Sequence, residues 1–377
     1  MQLLWKLRRS GVRLLGASVT AAALLSGAAL DANHSAGARA PFTLPDGPAK
    51  PGFDITRLNS SVYGSFETFH VSETQPLRDA LKSHVVANDT DLLVTETAGG
   101  SLALIVEQMA YHHIAQGRTN GRDWLVSFCV VCNTGTRLVP MPNGKAVRFE
   151  TAGVYDGMMV MRDASTGTLW NHITGEALYG PGVGTSLGPV GNVLQMTAKQ
   201  LLAAAPDARL AVSDRIYFAG GRRLGSLEGI SLLGRTHSRP DPRAALSSAF
   251  VATLGREDAR RPRMDLGLGI WSGSSSRFYP LDYLRRKPSV FIDRLDGRTV
   301  VVYLDPETST PAALFVDSTR ARLDGAVVRL DKGLTVRSGI LKNARGERMT
   351  TERPLQLFTR WYGFALTFPG ADVFAAD

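Results

Sequence analysis

An α+β protein built from two similar β-rich units with short helices is what this 377-residue sequence predicts. Three observations carry that expectation. Short apolar runs are separated by turn-forming Gly, Pro, Asn and Asp residues, a strand-rich pattern. Helical periodicity is confined to brief segments. Two distant stretches, "QMTAKQLLAAAPDARLAVSD" and "QLFTRWYGFALTFPGADVFAAD", also share one order of features: Gln, a Thr-containing helix start, apolar residues, Pro, a small-acidic turn, a short strand and Asp. They read as the closing segments of a degenerate tandem duplication, in which a helix at 197–205 corresponds to one near 358–366.

Residues 1–38 read as a signal peptide. Lys6, Arg8, Arg9 and Arg13 precede an uncharged Ala/Leu-rich run from Leu14 to Leu30, then small residues ending in Ala36-Gly37-Ala38. That order predicts cleavage after Ala38 and an exported, periplasmic or extracellular protein. A retained anchor is the competing reading, because the run is at the short end for a membrane span. Cleavage would remove four of the 43 basic residues and one of the 34 acidic ones, leaving a net charge of about +6. The remaining basic residues are scattered without interleaved aromatics, which argues against nucleic acid. No later run is long and apolar enough to predict a membrane span in the mature chain.

Residues 39–60 are rich in Pro and Gly and read as an extended lead-in. The first unit, 61–215, contains "SLALIVEQMAYHHIAQG". Ser101 fits an N-cap and Gly117 a left-handed stop. Leu102, Ile105, Val106, Met109 and then His112 or His113 recur at helical spacing, so a helix over 101–117 is expected. The runs "WLVSFCVV", "AVRFETAGV" and "GMMVMRD" read as strands, with Asn143-Gly144 as the strongest hairpin signal. "MTAKQLLAAAPDARLAV" predicts a short helix, a Pro-marked stop and a strand. Residues 216–262 mix Gly, Arg and Pro without lasting periodicity and read as a linker or excursion. The second unit, 263–377, carries Tyr303-Leu304-Asp305-Pro306-Glu307 at the cysteine position of the first.

Three stretches of the first unit, "FCVVCNTG", "ETAGVYDGMMVMRDASTGTLWNHITGEALYGPGVGTSL" and "PDARLAV", resemble the bacterial DUF3179 family of exported proteins without an assigned function. The likeness rests on Cys129 and Cys132, Ala152-Gly153, Asp163 through Trp170, Gly175-Glu176-Ala177 and Gly180 through Leu187. It is strong over about 125–215. In the second unit "RFYPLDYL" and "IDRLDG", with Asp293 and Gly297, are similar to further family elements. The chain departs from the family in having Val-Val between its cysteines and His172 where Gln is usual. The family's His-Glu pair falls on His112 and His113, without the acidic member. Some members place selenocysteine at the cysteine motif, so the resemblance implies redox use of that position. It supplies no substrate.

The two cysteines, Cys129 and Cys132, are the only ones in the chain. Three readings stay open for them. A thiol-disulfide couple acting on a protein or small-molecule thiol partner needs a turn at Val130-Val131, since residues three apart in an unbroken strand face opposite ways. His112 or His113 would then serve as proton shuttle or lower a thiol pKa. A metal reading takes two thiolates with His112, His113 or His172 for zinc, or with Met158, Met159 or Met161 for copper(I). No resident cofactor is expected, with copper or zinc left open. The third reading is an inert buried pair in a structural or interaction domain. Asp163, Trp170, His172 and Glu176 are candidates to wall a pocket.

Overall fold

The computed structural model describes residues 42–214, 217–219, 222–224, 247–286 and 289–375. The expected signal peptide and much of the 216–262 excursion lie outside the described residues. The fold is β-rich with a few short helices.

Each half follows one path through its sheets. In the first, the hairpin Asp91–Thr97/Gly100–Ile105 leads into the helix Val106–His112. A three-stranded meander follows, Ile114–Thr119, Arg122–Cys129 and Thr134–Leu138. Next comes a four-stranded one, Phe149–Tyr155, Met158–Asp163, Leu169–Asn171 and Ala177–Tyr179. The chain then returns to its first sheet. Leu194–Thr197 pairs antiparallel to Asp91–Thr97, the helix Ala198–Ala204 crosses over, and Arg209–Ala211 pairs parallel to Gly100–Ile105.

The second half repeats that order. Its hairpin is Leu266–Ser272/Ser275–Pro280, followed by the helix Leu281–Leu284. The meanders are Val290–Leu295, Arg298–Leu304, Pro311–Phe315, and then Ala321–Asp324, Val327–Leu330, Thr335–Arg337, Ile340–Lys342. Leu355–Arg360 returns antiparallel to Leu266–Ser272, the helix Trp361–Thr367 crosses, and Asp372–Val373 pairs parallel to Ser275–Pro280. The second closing helix, expected near 358–366, is Trp361–Thr367, and residues 358–360 belong to the strand before it.

Two local expectations are corrected. The helix expected over 101–117 is only Val106–His112, flanked by the strands Gly100–Ile105 and Ile114–Thr119. Leu102 and Leu104 enter one core cluster while Ala103 and Ile105 enter another, so this strand is buried on both faces. Such a run is continuously apolar and its period does not separate strand from helix. His113 ends the helix at φ 58. Asn143-Gly144 does turn the chain, within the 3-10 segment Pro142–Gly144, but it links two different sheets. Tight two-residue hairpins lie elsewhere, at Asn120-Gly121, with φ 47 and 76 between the paired Thr119 and Arg122, and at Asp156-Gly157, with φ 52 and 68 between the paired Tyr155 and Met158. Asp-Gly suits such a turn as well as Asn-Gly does.

The largest core cluster is shared between the halves. It joins Cys129, Cys132, Met161 and Trp170 to Phe250, which precedes the second half, and to Phe278, Trp361 and Phe364 within it. The closing helices cross between halves as well. Gln200 Nε2, on the first, donates to Asp305 Oδ1 of the second half at 3.0 Å. A Cβ on Gly363, in the second helix, would lie 3.3 Å from Cys132 Cβ of the first half.

Candidate metal centre

Four residues, Val130–Asn133, join the strand ending at Cys129 to the one beginning at Thr134, which pairs with Cys129. Asn133 takes φ 58, a conformation asparagine tolerates, and its N–H reaches Val130 O at 3.3 Å. Valines form turns poorly, but here packing holds them. Val130 rests on the cluster around Trp124 and Phe128, and Val131 on the shared core. The turn required for the cysteines to meet is therefore present.

The second half holds this turn from outside. Arg360 Nε donates to Val131 O at 2.9 Å, and its backbone N–H to Cys132 O at 3.0 Å. Thr359 Oγ1 also donates to Cys132 O at 3.0 Å and lies 2.6 Å from Thr134 Oγ1. Asn133 Nδ2 donates to Phe358 O at 2.9 Å. With its carbonyls engaged outward, the turn directs both sulfurs inward.

Cys129 and Cys132 are free thiols, 4% and 0% exposed. The Cys132 thiol donates to Cys129 O at 3.6 Å. A hydrogen bond from the Cys132 side chain lowers the Cys129 pKa to about 7 against the opposing effect of burial, aided by the amides of Cys132, Met159 and Val131. Burial, then the neighbouring Cys129 sulfur, pushes Cys132 the other way, well above the ordinary thiol value. One sulfur is thus prepared to carry negative charge.

His172 completes the cluster. It follows the strand Leu169–Asn171 in a turn closed by Asn171 Oδ1, which accepts from the amides of Ile173 and Thr174 at 2.7 and 3.0 Å. The hydroxyls of Ser127 and Thr136, on adjacent strands of the cysteine hairpin, both donate to His172 O. Nδ1 lies 3.3 Å from Ser127 Oγ. Nε2 is buried and has no hydrogen-bond partner among the described residues. A ring nitrogen of His172 and the two sulfurs lie within 4.8 Å of one another. Two ~2.3 Å metal–ligand bonds span up to about 4.6 Å, so one ion can reach all three with small adjustments. Burial first, then the proximity of His113, lowers the His172 pKa to about 3 and keeps the imidazole neutral, the form that ligates.

The other candidates are placed differently. His112 is engaged at both nitrogens, with Nδ1 2.6 Å from Glu67 O and Nε2 2.8 Å from Ser213 Oγ, and it is not part of the cysteine–histidine group. His113 Nδ1 meets Phe128 O at 3.0 Å, and burial lowers its pKa to about 4. It approaches His172 without joining the three-residue group. Asp163 closes its own turn, accepting from the amides of Ser165 and Thr166 at 3.0 and 2.7 Å, and anchors Trp170 Nε1 at 3.0 Å. Glu176 pairs with Lys50 at 2.7 Å on a half-exposed surface. Ser127, Thr136, Thr359 and Arg360 gave no sequence signal, because their roles depend on which strands and which halves meet.

Among the described residues no helix is long and apolar enough to cross a membrane. Neither curated proteins nor solved structures yield a match. The family described as "Protein of unknown function (DUF3179)" matches residues 74–365, which run through both halves and include every member of the cysteine–histidine cluster. The resemblance read from the cysteine motif onward thus extends over most of the chain, and the protein belongs to the DUF3179 family.

Proposed function

We propose that Cys129, Cys132 and His172 bind a soft metal ion. The observation that carries this reading is the buried His172, one ring nitrogen of which lies with the two thiols and whose Nε2 has no hydrogen-bond partner among the described residues. An unsatisfied buried polar atom costs about 1–3 kcal/mol, and an ion shared with the sulfurs would remove that penalty. Burial of both sulfurs also favours the ion over exchange with a protein disulfide, which must approach the attacking thiolate in line. Elemental analysis of the purified, reduced protein after metal loading should give about one ion per chain. It should be lost in the Cys129→Ser/Cys132→Ser variant. Full occupancy in that variant would remove the reading.

A thiol couple is the second reading, favoured by the lowered Cys129 pKa and by both sulfurs sharing one turn. It requires a small oxidant or reductant able to enter the core. A reversible disulfide between Cys129 and Cys132, forming at a defined potential in the metal-free chain, would support it. Export and tandem duplication belong to the same proposal. Export rests on the charged, apolar and small-residue order of residues 1–38, and N-terminal sequencing of the secreted protein tests it. Duplication is supported by the common strand order of the halves. Separate superposition of the two halves tests it.

A further inference from the structure

We propose that the ion selected by Cys129, Cys132 and His172 is copper(I) rather than zinc, with the Met158 thioether as a fourth, soft donor. This inference rests on the metal reading above and names its ion. The first argument is donor count. Among the described residues, the cluster contains two thiols, one imidazole and no carboxylate. Structural zinc sites are almost always four-coordinate, and catalytic ones keep a water in the fourth position. Here all three ligands are buried, the two cysteines in a core cluster that includes Trp361, Tyr362 and Phe364. That enclosure disfavours a water-completed zinc shell.

The second argument concerns which further atoms are within reach. A Cβ on Gly363 would lie 3.3 Å from Cys132 Cβ and 3.6 Å from Met158 Sδ, so the thioether and Cys132 flank one point on the helix Trp361–Thr367. Met158 is buried, and the amide of the next residue, Met159, is directed at the Cys129 sulfur. Met158 therefore begins its strand beside both cysteines. The nearby hydroxyls already have partners, and two of them also touch the sulfurs: that of Tyr362 meets the Cys132 thiol and that of Thr367 donates to Met158 Sδ at 3.6 Å. The Tyr362 hydroxyl donates to Gly157 O at 3.0 Å, and Thr359 Oγ1 donates to Cys132 O at the same distance. The remaining soft atom is sulfur. Thiolate and thioether donors suit copper(I), whereas hard oxygen donors suit other ions. On binding, each thiol that becomes a ligand releases its proton to solvent as its Cu–S bond forms. Copper stays monovalent throughout.

The test uses the full chain, reduced and under argon. Copper(I) is titrated against bicinchoninate, zinc against a chromophoric zinc chelator, and thiol alkylation is followed in both. One equivalent of copper(I) should protect both cysteines and resist excess zinc. X-ray absorption of the copper form should show three sulfurs and one nitrogen. Met158→Leu, close to isosteric, should reduce that to two sulfurs and weaken copper(I) by about tenfold while leaving zinc binding unchanged. Zinc displacing copper(I), or a copper shell of only two sulfurs in the parent protein, overturns the proposal and leaves the metal reading standing. Failure of both ions to bind and to protect the thiols removes both. Matching thermal melts of the metal-free parent and variant exclude misfolding as the cause of any loss.

Discussion

The turn at Val130–Asn133 and the turn at Asp305–Thr310 sit at the same point of the two halves, between the second and third strands of the three-stranded meander. Their construction is opposite. Asp305 closes its turn from within: Oδ1 accepts from the amides of Glu307 and Thr308 at 2.9 and 3.1 Å, and from Gln200 Nε2 at 3.0 Å. The cysteine turn has no such carboxylate. Its carbonyls are held by Thr359 and Arg360 from the other half. A turn satisfied by its own side chain uses the donor-accepting atom on itself. One clamped from outside leaves its side chains free to face a ligand. Asp163 follows the first design, with Ser165 and Thr166 in place of Glu307 and Thr308, which explains why a buried acid near the site is a structural part.

The largest effect expected from breaking this contrast is at the sulfurs. Cys129→Ser/Cys132→Ser should abolish metal binding, measured as bound ion per chain. The metal-free stability should change by only about 1–2 kcal/mol, because the substitutions keep the side-chain size but bury two hydroxyls. A melt that collapses without metal would mean that the cysteines are packing residues first.

Acid should separate the halves next. All seven histidines lie before residue 263, so the second half has none. His113, with its pKa lowered by burial to about 4, and His172, lowered to about 3, are neutral in the folded chain. Below their ordinary value of 6.5 the unfolded chain takes up protons that the folded state refuses. Stability is therefore full above pH 6.5 and falls as pH drops toward 4. His113 alone should remove about 3 kcal/mol over that window. Hydrogen exchange of the metal-free protein at pH 7 and pH 4.5 should show the first half losing protection while the second keeps it. Equal loss in both would contradict this assignment.

Much of this organisation was legible in the sequence. The strands around Cys129, Tyr155 and Met158 follow from apolar runs, and the two closing helices from their Thr-led or aromatic starts before a Pro. Thr197 and Gln200 form the capping box that begins the first of these. The run 101–105 misled because a strand buried on both faces has no alternation to detect. The metal cluster was only half visible. Cys129 and Cys132 announce each other by spacing, and His172 departs from the family pattern, but a segment carrying four strands, Thr134–Leu138, Phe149–Tyr155, Met158–Asp163 and Leu169–Asn171, separates it from the turn. Their pairing in space depends on Ser127 and Thr136 meeting the His172 carbonyl, a contact without sequence periodicity.

Asp305→Ala tests the self-closed turn. Removing a buried carboxylate that takes two amides and the Gln200 side chain should destabilise the chain by about 2–4 kcal/mol. Denaturant melts would read the loss. Metal stoichiometry and thiol reactivity should not change, since the cysteine turn uses none of these bonds. A parallel fall in metal affinity would show that the two turns are coupled through the crossing helices.

The smallest effect tests the outside clamp. Thr359→Val keeps the shape of the side chain but removes the hydroxyl that donates to Cys132 O and meets Thr134 Oγ1. The Arg360 amide still donates to the same carbonyl, so the turn should persist and the loss in stability should be about 1 kcal/mol. Positioning is more sensitive than folding. The Cys132 carbonyl orients the peptide that carries its sulfur, and a small rotation there moves one ligand of three. Metal affinity should fall about tenfold, the lower end of what loss of an outer-shell partner produces. The ratio of these effects is the discriminating quantity. If stability falls with no change in affinity, Thr359 is ordinary packing between the halves. If affinity falls further than stability can explain, the second half sets the geometry of a site whose ligands all belong to the first.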